Sequence, residues 1–262
     1  MTPAAAPEET APEETAPEET APEESTPEET AAANNTLDAD AALAAALNDI
    51  GHADLGVLLS DEDCDRFAAL FDDDEPFRSH IVMRRHGFGE GEYKYFDTPL
   101  PALVAEMRAS LYARLAPVAN AWAAALGMAR RYPDDHAAFL AECRAAGQIR
   151  PTPLLLRYRP GDYNCLHQDV YGEVAFPIQV VILLSDPATF EGGEFVMTEQ
   201  RPRMQSRVEV APLRRGHGLA FAVNERPRQG RRGVYRVKQR HGVSRLRSGE
   251  RYAMGVIFHD AT

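Results

Sequence analysis

The sequence predicts an α+β protein in which a helix-rich N-terminal part precedes a β core of sandwich or small-barrel type. Three observations lead there. From Thr152 onward, short apolar runs at 153–159, 175–184, 193–198, 206–213, 218–223, 233–240 and 251–259 are separated by Gly, Pro and Asp turns, with no helical period between them. Before that point, Leu100, Leu103, Val104, Met107, Leu111 and Leu115 keep helical spacing. A length of 262 residues at 44% hydrophobic composition suits one substantial core rather than two unrelated domains.

The chain opens with a repeat. From Ala6 to Thr30 the unit Ala-Pro-Glu-Glu-Thr recurs, broken only at Ser25 and Thr26. A proline every fifth residue interrupts helical hydrogen bonding and paired glutamates repel, so residues 1–35 are expected to be a disordered acidic tail. The remainder, 36–262, is expected to be one domain, with 36–150 mainly helical support and 151–262 the β core.

Within the support region, Leu37 to Ile50 is alanine-rich, and Ser60-Asp61-Glu62-Asp63 reads as a capping box opening a helix through Phe71. Between Ser79 and Phe96, β-compatible runs flank Gly87-Phe88-Gly89-Glu90-Gly91, the pattern of a hairpin. Pro117 is expected to restart a helix carrying Trp122.

Charge is unevenly placed. The formal net charge is −12, but ten glutamates within residues 1–35 account for all but two of the excess negative charges. From Arg201 to Arg251, fourteen Arg and one Lys face only Glu209, Glu225 and Glu250. A basic stretch of that kind favours anions, and Arg201, Arg203, Arg207, Arg214, Arg215, Arg226, Arg228, Arg231 and Arg232 could track the phosphates of a nucleic acid. Ordinary surface ion pairing is the competing reading. Tyr171 and Phe176 are the aromatic side chains that could stack on a base.

Cys64, Cys143 and Cys165 are odd in number and far apart, which fits neither a disulfide framework nor a structural zinc site and points to a reducing cytoplasm. No apolar run approaches the roughly 18 residues of a membrane span, and Met1-Thr2-Pro3 lacks the start of a secretory signal. No membrane association is expected.

The segment Tyr158 to Asp169 carries the chemistry. Residues two apart on a strand project from one face, so His167 and Asp169 can grip one ion. A third ligand would complete a 2-His-1-carboxylate face, which leaves positions open for an oxoacid and dioxygen at Fe(II). His241, which ends the basic strand from Val234 to Arg240, is the leading candidate, ahead of His217 and His259. Cys165 shares strand parity with His167, but a thiolate would fill a position that oxygen needs, and it is read as a small buried residue.

In this order, His-x-Asp, then Gly192-Gly193-Glu194-Phe195, then a distal His followed by Arg, the chain resembles the 2-oxoglutarate/Fe(II) oxygenase superfamily, including its prolyl-hydroxylase-like branch. The resemblance implies a double-stranded β-helix (jelly-roll) core with the N-terminal helices packed outside it. It further implies Fe(II) held by His167, Asp169 and His241, 2-oxoglutarate, and dioxygen as co-substrate. Arg251-Tyr252-Ala253-Met254-Gly255-Val256-Ile257-Phe258-His259-Asp260 resembles the last core strand of prolyl hydroxylases, whose leading arginine holds the distal carboxylate of 2-oxoglutarate. Arg251 inherits that role, and a guanidinium suits it because it binds carboxylate through two parallel hydrogen bonds. Tyr158 stands where the same branch often has a tyrosine touching 2-oxoglutarate, and Gly192 and Gly193 are read as architectural.

More narrowly, Tyr93 to Ala261 resembles a family of bacterial oxygenases predicted to act on damaged or modified nucleic acids. The motifs are Gly147-Gln148-Ile149-Arg150-Pro151-Thr152-Pro153-Leu154-Leu155, His167-Gln168-Asp169-Val170-Tyr171-Gly172, Glu199-Gln200-Arg201-Pro202-Arg203, Arg240-His241-Gly242-Val243-Ser244 and Phe258-His259-Asp260-Ala261. The function this implies is a 2-oxoglutarate-dependent dioxygenase that hydroxylates a C–H bond, with oxidative demethylation of nucleic acid as one outcome. Hydroxylation of a protein side chain or small amino acid is the alternative, and a non-catalytic metal-binding barrel the third.

Overall fold

The structure, a computed structural model, describes Met1 and residues 27–262. Most of the repeat, and with it most of the expected acidic tail, lies at 2–26, outside the described residues. Met1–Asp38 forms one unit, of which the first turns of a helix are described, and Ala39–Thr262 forms another.

In chain order the elements are α1 (Pro27–Asp49), β1 (His52–Val57), α2 (Asp61–Leu70), β2 (Phe77–Val82), a 3-10 turn (Met83–His86), β3 (Gly89–Glu90), β4 (Glu92–Phe96), α3 (Ala102–Ala125) and α4 (His136–Ala145). Then come β5 (Leu154–Tyr158), β6 (Tyr163–His167), β7 (Ile178–Leu183), β8 (Glu191–Gly192), β9 (Phe195–Gln200), β10 (Arg207–Ala211), β11 (His217–Ala222), β12 (Glu225–Gly230), β13 (Gly233–Val243), β14 (Leu246–Ser248) and β15 (Arg251–Val256).

The major sheet runs β1-β11-β7-β15-β5-β4-β2 and the minor sheet β10-β9-β13-β6-β3, with β12 beside β13. From β5 to β15 the chain crosses repeatedly between two antiparallel sheets, the double-stranded β-helix. The support region is less helical than expected, because β1, β2 and β4 extend the major sheet at both ends.

Local chemistry explains most boundaries. Ser60 caps α2, its Oγ accepting from the Asp63 amide at 3.1 Å, as the capping box required. Pro117 does not restart a helix: α3 is continuous through it, since Leu115, Ala116, Val118, Ala119 and Trp122 are all buried and packing on both sides outweighs one missing N–H.

Strand β7 is buried throughout, and its alternation divides the interior. Ile178, Val180 and Ile182 join the core with Tyr112, Phe139, Phe176 and Phe258, while Val181 joins a second core with Phe195, Met197 and Phe221. Each fully buried phenyl group is worth roughly 1.5–3 kcal/mol. The packed outer layer thus leaves the inner face of the major sheet free to line a cavity.

Candidate metal centre

Strands β6 and β13 are antiparallel neighbours in which His167 and His241 are directly opposed, and their rings lie 4.2 Å apart between centroids. Asp169 is not on the strand, which ends at His167. The turn that returns it is held by Gln168, whose Nε2 donates to Asn224 Oδ1 and to the Gln239 carbonyl, each at 2.7 Å. His167 Nε2 then stands 3.4 Å from Asp169 Oδ1, and His241 Nε2 stands 3.3 Å from Asp169 Oδ2. One ligand atom from each of the three lies within 4.8 Å of the others. His217 and His259 are elsewhere: the first pairs with Asp54, and the second accepts from the Phe176 amide.

The protonation pattern suits a cation. His167 Nδ1 donates to the Cys165 carbonyl at 2.7 Å, which leaves the Nε2 lone pair facing Asp169. Burial alone would raise the Asp169 carboxyl, but the two imidazoles hold it well below the usual carboxylate range. What keeps this buried carboxylate ionised is a positive charge, a proton on an imidazole or a metal ion in its place, at the point where the three groups converge. This is a donor set that Fe(II) accepts while keeping positions open.

A tyrosine relay fixes the carboxylate. Tyr171 Oη donates to Asp169 Oδ1 at 2.7 Å, and Tyr95 Oη donates to Tyr171 Oη at 3.3 Å. Burial pushes the Tyr171 phenol up, and the Asp169 charge adds to it, so the phenol stays protonated and keeps donating. Gln148, fully buried, holds the loop that carries Tyr171: its Nε2 donates to the Val174 carbonyl at 2.9 Å, and its Oε1 accepts from the Val174 amide at 2.8 Å.

A cavity of about 330 Å³ joins the three ligands to Tyr158 and Arg251. Arg251 opens β15 opposite Tyr158 on β5, with its guanidinium carbon 5.4 Å from the tyrosine ring centroid. It is 1% exposed, and burial lowers its pKa. Among the described residues it has no carboxylate partner within ion-pair distance. Gly193 makes room for it: a Cβ there would lie 2.8 Å from Arg251 Cδ. Burial also raises the Tyr158 phenol to about 12.

Three expectations change. Cys165 is exposed at the cavity rather than buried, because the β6–β13 register shifts between His241 and Val243 and breaks the two-residue parity. Phe176, 1% exposed in the aromatic core, cannot stack on a base, whereas Tyr171 lines the cavity with its hydroxyl bonded to Asp169. Six of the nine arginines are ion-paired: Arg201, Arg226 and Arg228 share Glu199, Arg207 pairs with Glu209, Arg214 with Asp54, and Arg215 with Asp65, while Arg203, Arg231 and Arg232 make no ion pair among the described residues. Gln148 and Gln168 stand in motifs that carry the family resemblance but were given no role there, and Tyr95 was not singled out, since nothing local marks a partner that folds in from a distant segment.

No helix among the described residues is long and apolar enough to cross a membrane. The fold is the one found in 2OG-Fe(II) oxygenases. Residues 91–261 match the family model Oxygenase-NA, described as an oxygenase catalysing oxidative methylation of damaged DNA. The uncharacterized protein Rv2227 of Mycobacterium tuberculosis is 51% identical over 167 residues, covering 63% of this chain and 72% of that one. A prolyl hydroxylase from Trichoplax adhaerens, solved with a hypoxia inducible factor peptide, shares the fold at TM-score 0.55 and 12% identity, covering 88% of this chain and 93% of that one. A 2OG-Fe(II) oxygenase family oxidoreductase from Burkholderia pseudomallei does so at TM-score 0.50 and 16% identity, covering 85% and 92%. The chain belongs to the Oxygenase-NA family.

Proposed function

We propose that His167, Asp169 and His241 hold Fe(II), that Arg251 with Tyr158 holds the distal carboxylate of 2-oxoglutarate, and that the enzyme demethylates damaged nucleic acid oxidatively. The observation that carries this reading is a buried arginine, without a carboxylate partner among the described residues, in the same cavity as a converging His-Asp-His set. A guanidinium in that setting calls for an anionic ligand.

When bound, iron and 2-oxoglutarate supply the oxidation, in which 2-oxoglutarate, dioxygen and a substrate methyl group give succinate, CO2 and a hydroxymethyl group. A hydroxymethyl group on nitrogen leaves as formaldehyde and restores the N–H bond. Around that chemistry the protein orients and dries the site. Gln168 and Tyr171 set the Asp169 carboxylate, Arg251 draws the oxoacid to the end of the cavity, and Phe195 and Phe221 exclude water beside His241. Three free cysteines support a reducing compartment such as the cytoplasm as its location.

The test is succinate and formaldehyde release after anaerobic loading with Fe(II), using single strands with and without N-methylated bases and, in parallel, a prolyl peptide. Iron-dependent succinate formation stimulated by the methylated strand, with matching formaldehyde, is the expected result. Stimulation by the peptide alone would replace the nucleic-acid substrate with a protein one, and no turnover under any condition would leave a metal-binding barrel.

A further inference from the structure

Gln179 is the polar group in the cavity that neither the metal nor the oxoacid explains. It lies on β7 between Ile178 and Val180, which face the helices, so parity turns its side chain to the cavity with Val181. It is 3% exposed, and its Nε2 is fully buried with no hydrogen-bond partner. A buried amide is costly unless something satisfies it, and here the side that is open is the cavity.

Its position separates it from the oxoacid. Along β15 the cavity-lining residues are Arg251, Ala253, Gly255 and Ile257, and Gly255 is opposite Val181 on β7. Gln179 is therefore level with Ile257, six residues or roughly 20 Å of strand from Arg251. It is paired with Phe221, whose ring centroid is 4.6 Å from that of His241. At this end Tyr95 and Tyr171 also line the cavity, and their hydroxyls are committed to the relay on Asp169. The walls here are flat and aromatic, with one unpaired carboxamide.

We propose that Gln179 selects the substrate by hydrogen bonding to the edge of an N-methylated nucleobase inserted between these tyrosines and the metal. The inference rests on the oxygenase reading of this cavity. A carboxamide offers a donor and an acceptor side by side, the complement of the adenine N6/N7 edge, which a methyl group on N1 leaves intact. A prolyl ring presents no such edge.

The test is equilibrium binding, by fluorescence anisotropy, of a labelled single-stranded oligonucleotide with one N1-methyladenine to the full chain, against its 7-deaza counterpart, in which the N7 acceptor is replaced by C–H, and a prolyl peptide. The proteins are wild type, Gln179→Leu and Gln179→Glu. Wild type is expected to prefer the strand that retains N7 at least tenfold, and both variants to lose at least fivefold of that preference. Gln179→Leu removes a buried amide from an apolar strand, so it is expected to melt no lower than wild type, which separates recognition from a structural role. Absence of a preference for the N7-bearing strand in wild type, tighter binding of the peptide, or an unchanged preference in Gln179→Leu overturns the proposal. Because binding is read without turnover, selective binding through Gln179 combined with no iron-dependent succinate would sink the oxygenase reading and leave this one standing.

Discussion

The Tyr171 hydroxyl donates to Asp169 Oδ1 at 2.7 Å, and the same oxygen is the one nearest His167 Nε2. One carboxylate oxygen is thereby shared between the candidate metal position and a phenol held by Tyr95. Tyr171→Phe removes the bond while keeping the ring, and supporting hydrogen bonds of this kind are worth about 10–100-fold in metal affinity or activity. An Fe(II) titration under nitrogen should show a loss in that range, and an unchanged affinity would mean that the relay does not tune the ligand.

Gly193 has φ +67°, and a Cβ there would fall 2.8 Å from Arg251 Cδ. Gly193→Ala should displace the guanidinium, raise the 2-oxoglutarate KM about tenfold and leave Fe(II) affinity within twofold. Steady-state kinetics at saturating iron checks this. Loss of metal as well would place the glycine's role in the fold rather than in the oxoacid site.

Gln148 bonds both backbone groups of Val174 from a fully buried position. Gln148→Leu strands those groups at about 1–3 kcal/mol each, so urea denaturation should register a loss of roughly 2–6 kcal/mol. Weaker Fe(II) binding should accompany it, since the loop carries Tyr171. A stable variant with normal iron affinity would refute the positioning role.

His136 and His259 are buried, and burial first, with Arg108 nearby, lowers each to about 4. A histidine in the unfolded chain titrates near 6.5, so between about pH 6.5 and 4 the unfolded state binds protons that the folded state refuses. Stability should therefore be flat with respect to these groups above pH 6.5 and fall as pH drops toward 4, by up to roughly 3 kcal/mol for each. Urea midpoints across that range test the slope, and His136→Gln, which can still donate to the Phe258 carbonyl, should flatten it by about half.

Part of the candidate site was legible, because His167 closes a strand and Arg251 opens the strand paired with Tyr158, but Asp169 meets His167 through a turn held by Gln168 and not through the strand parity that suggested the pair. The jelly roll was legible as recurrent short apolar runs, but β12 was not, because Glu225-Arg226-Pro227-Arg228-Gln229-Gly230 has no apolar alternation and is held by pairing with β13. Charge counting failed for a related reason. Arg226 is wholly buried, donating to Glu199 and to the last carbonyls of α1 at Asn48 and Asp49, and only tertiary structure reveals that such a cation is spent on a helix terminus. The Tyr95–Tyr171–Asp169 relay spans 76 residues between its phenols, beyond the reach of any local pattern.

The most direct test of the central claim is anaerobic calorimetry of Fe(II) and then 2-oxoglutarate binding to wild type, Asp169→Ala and Arg251→Gln. One iron and one oxoacid per chain are predicted for wild type, neither for Asp169→Ala, and iron without tight oxoacid binding for Arg251→Gln. Iron binding that survives Asp169→Ala, or oxoacid affinity that survives Arg251→Gln, would contradict the account.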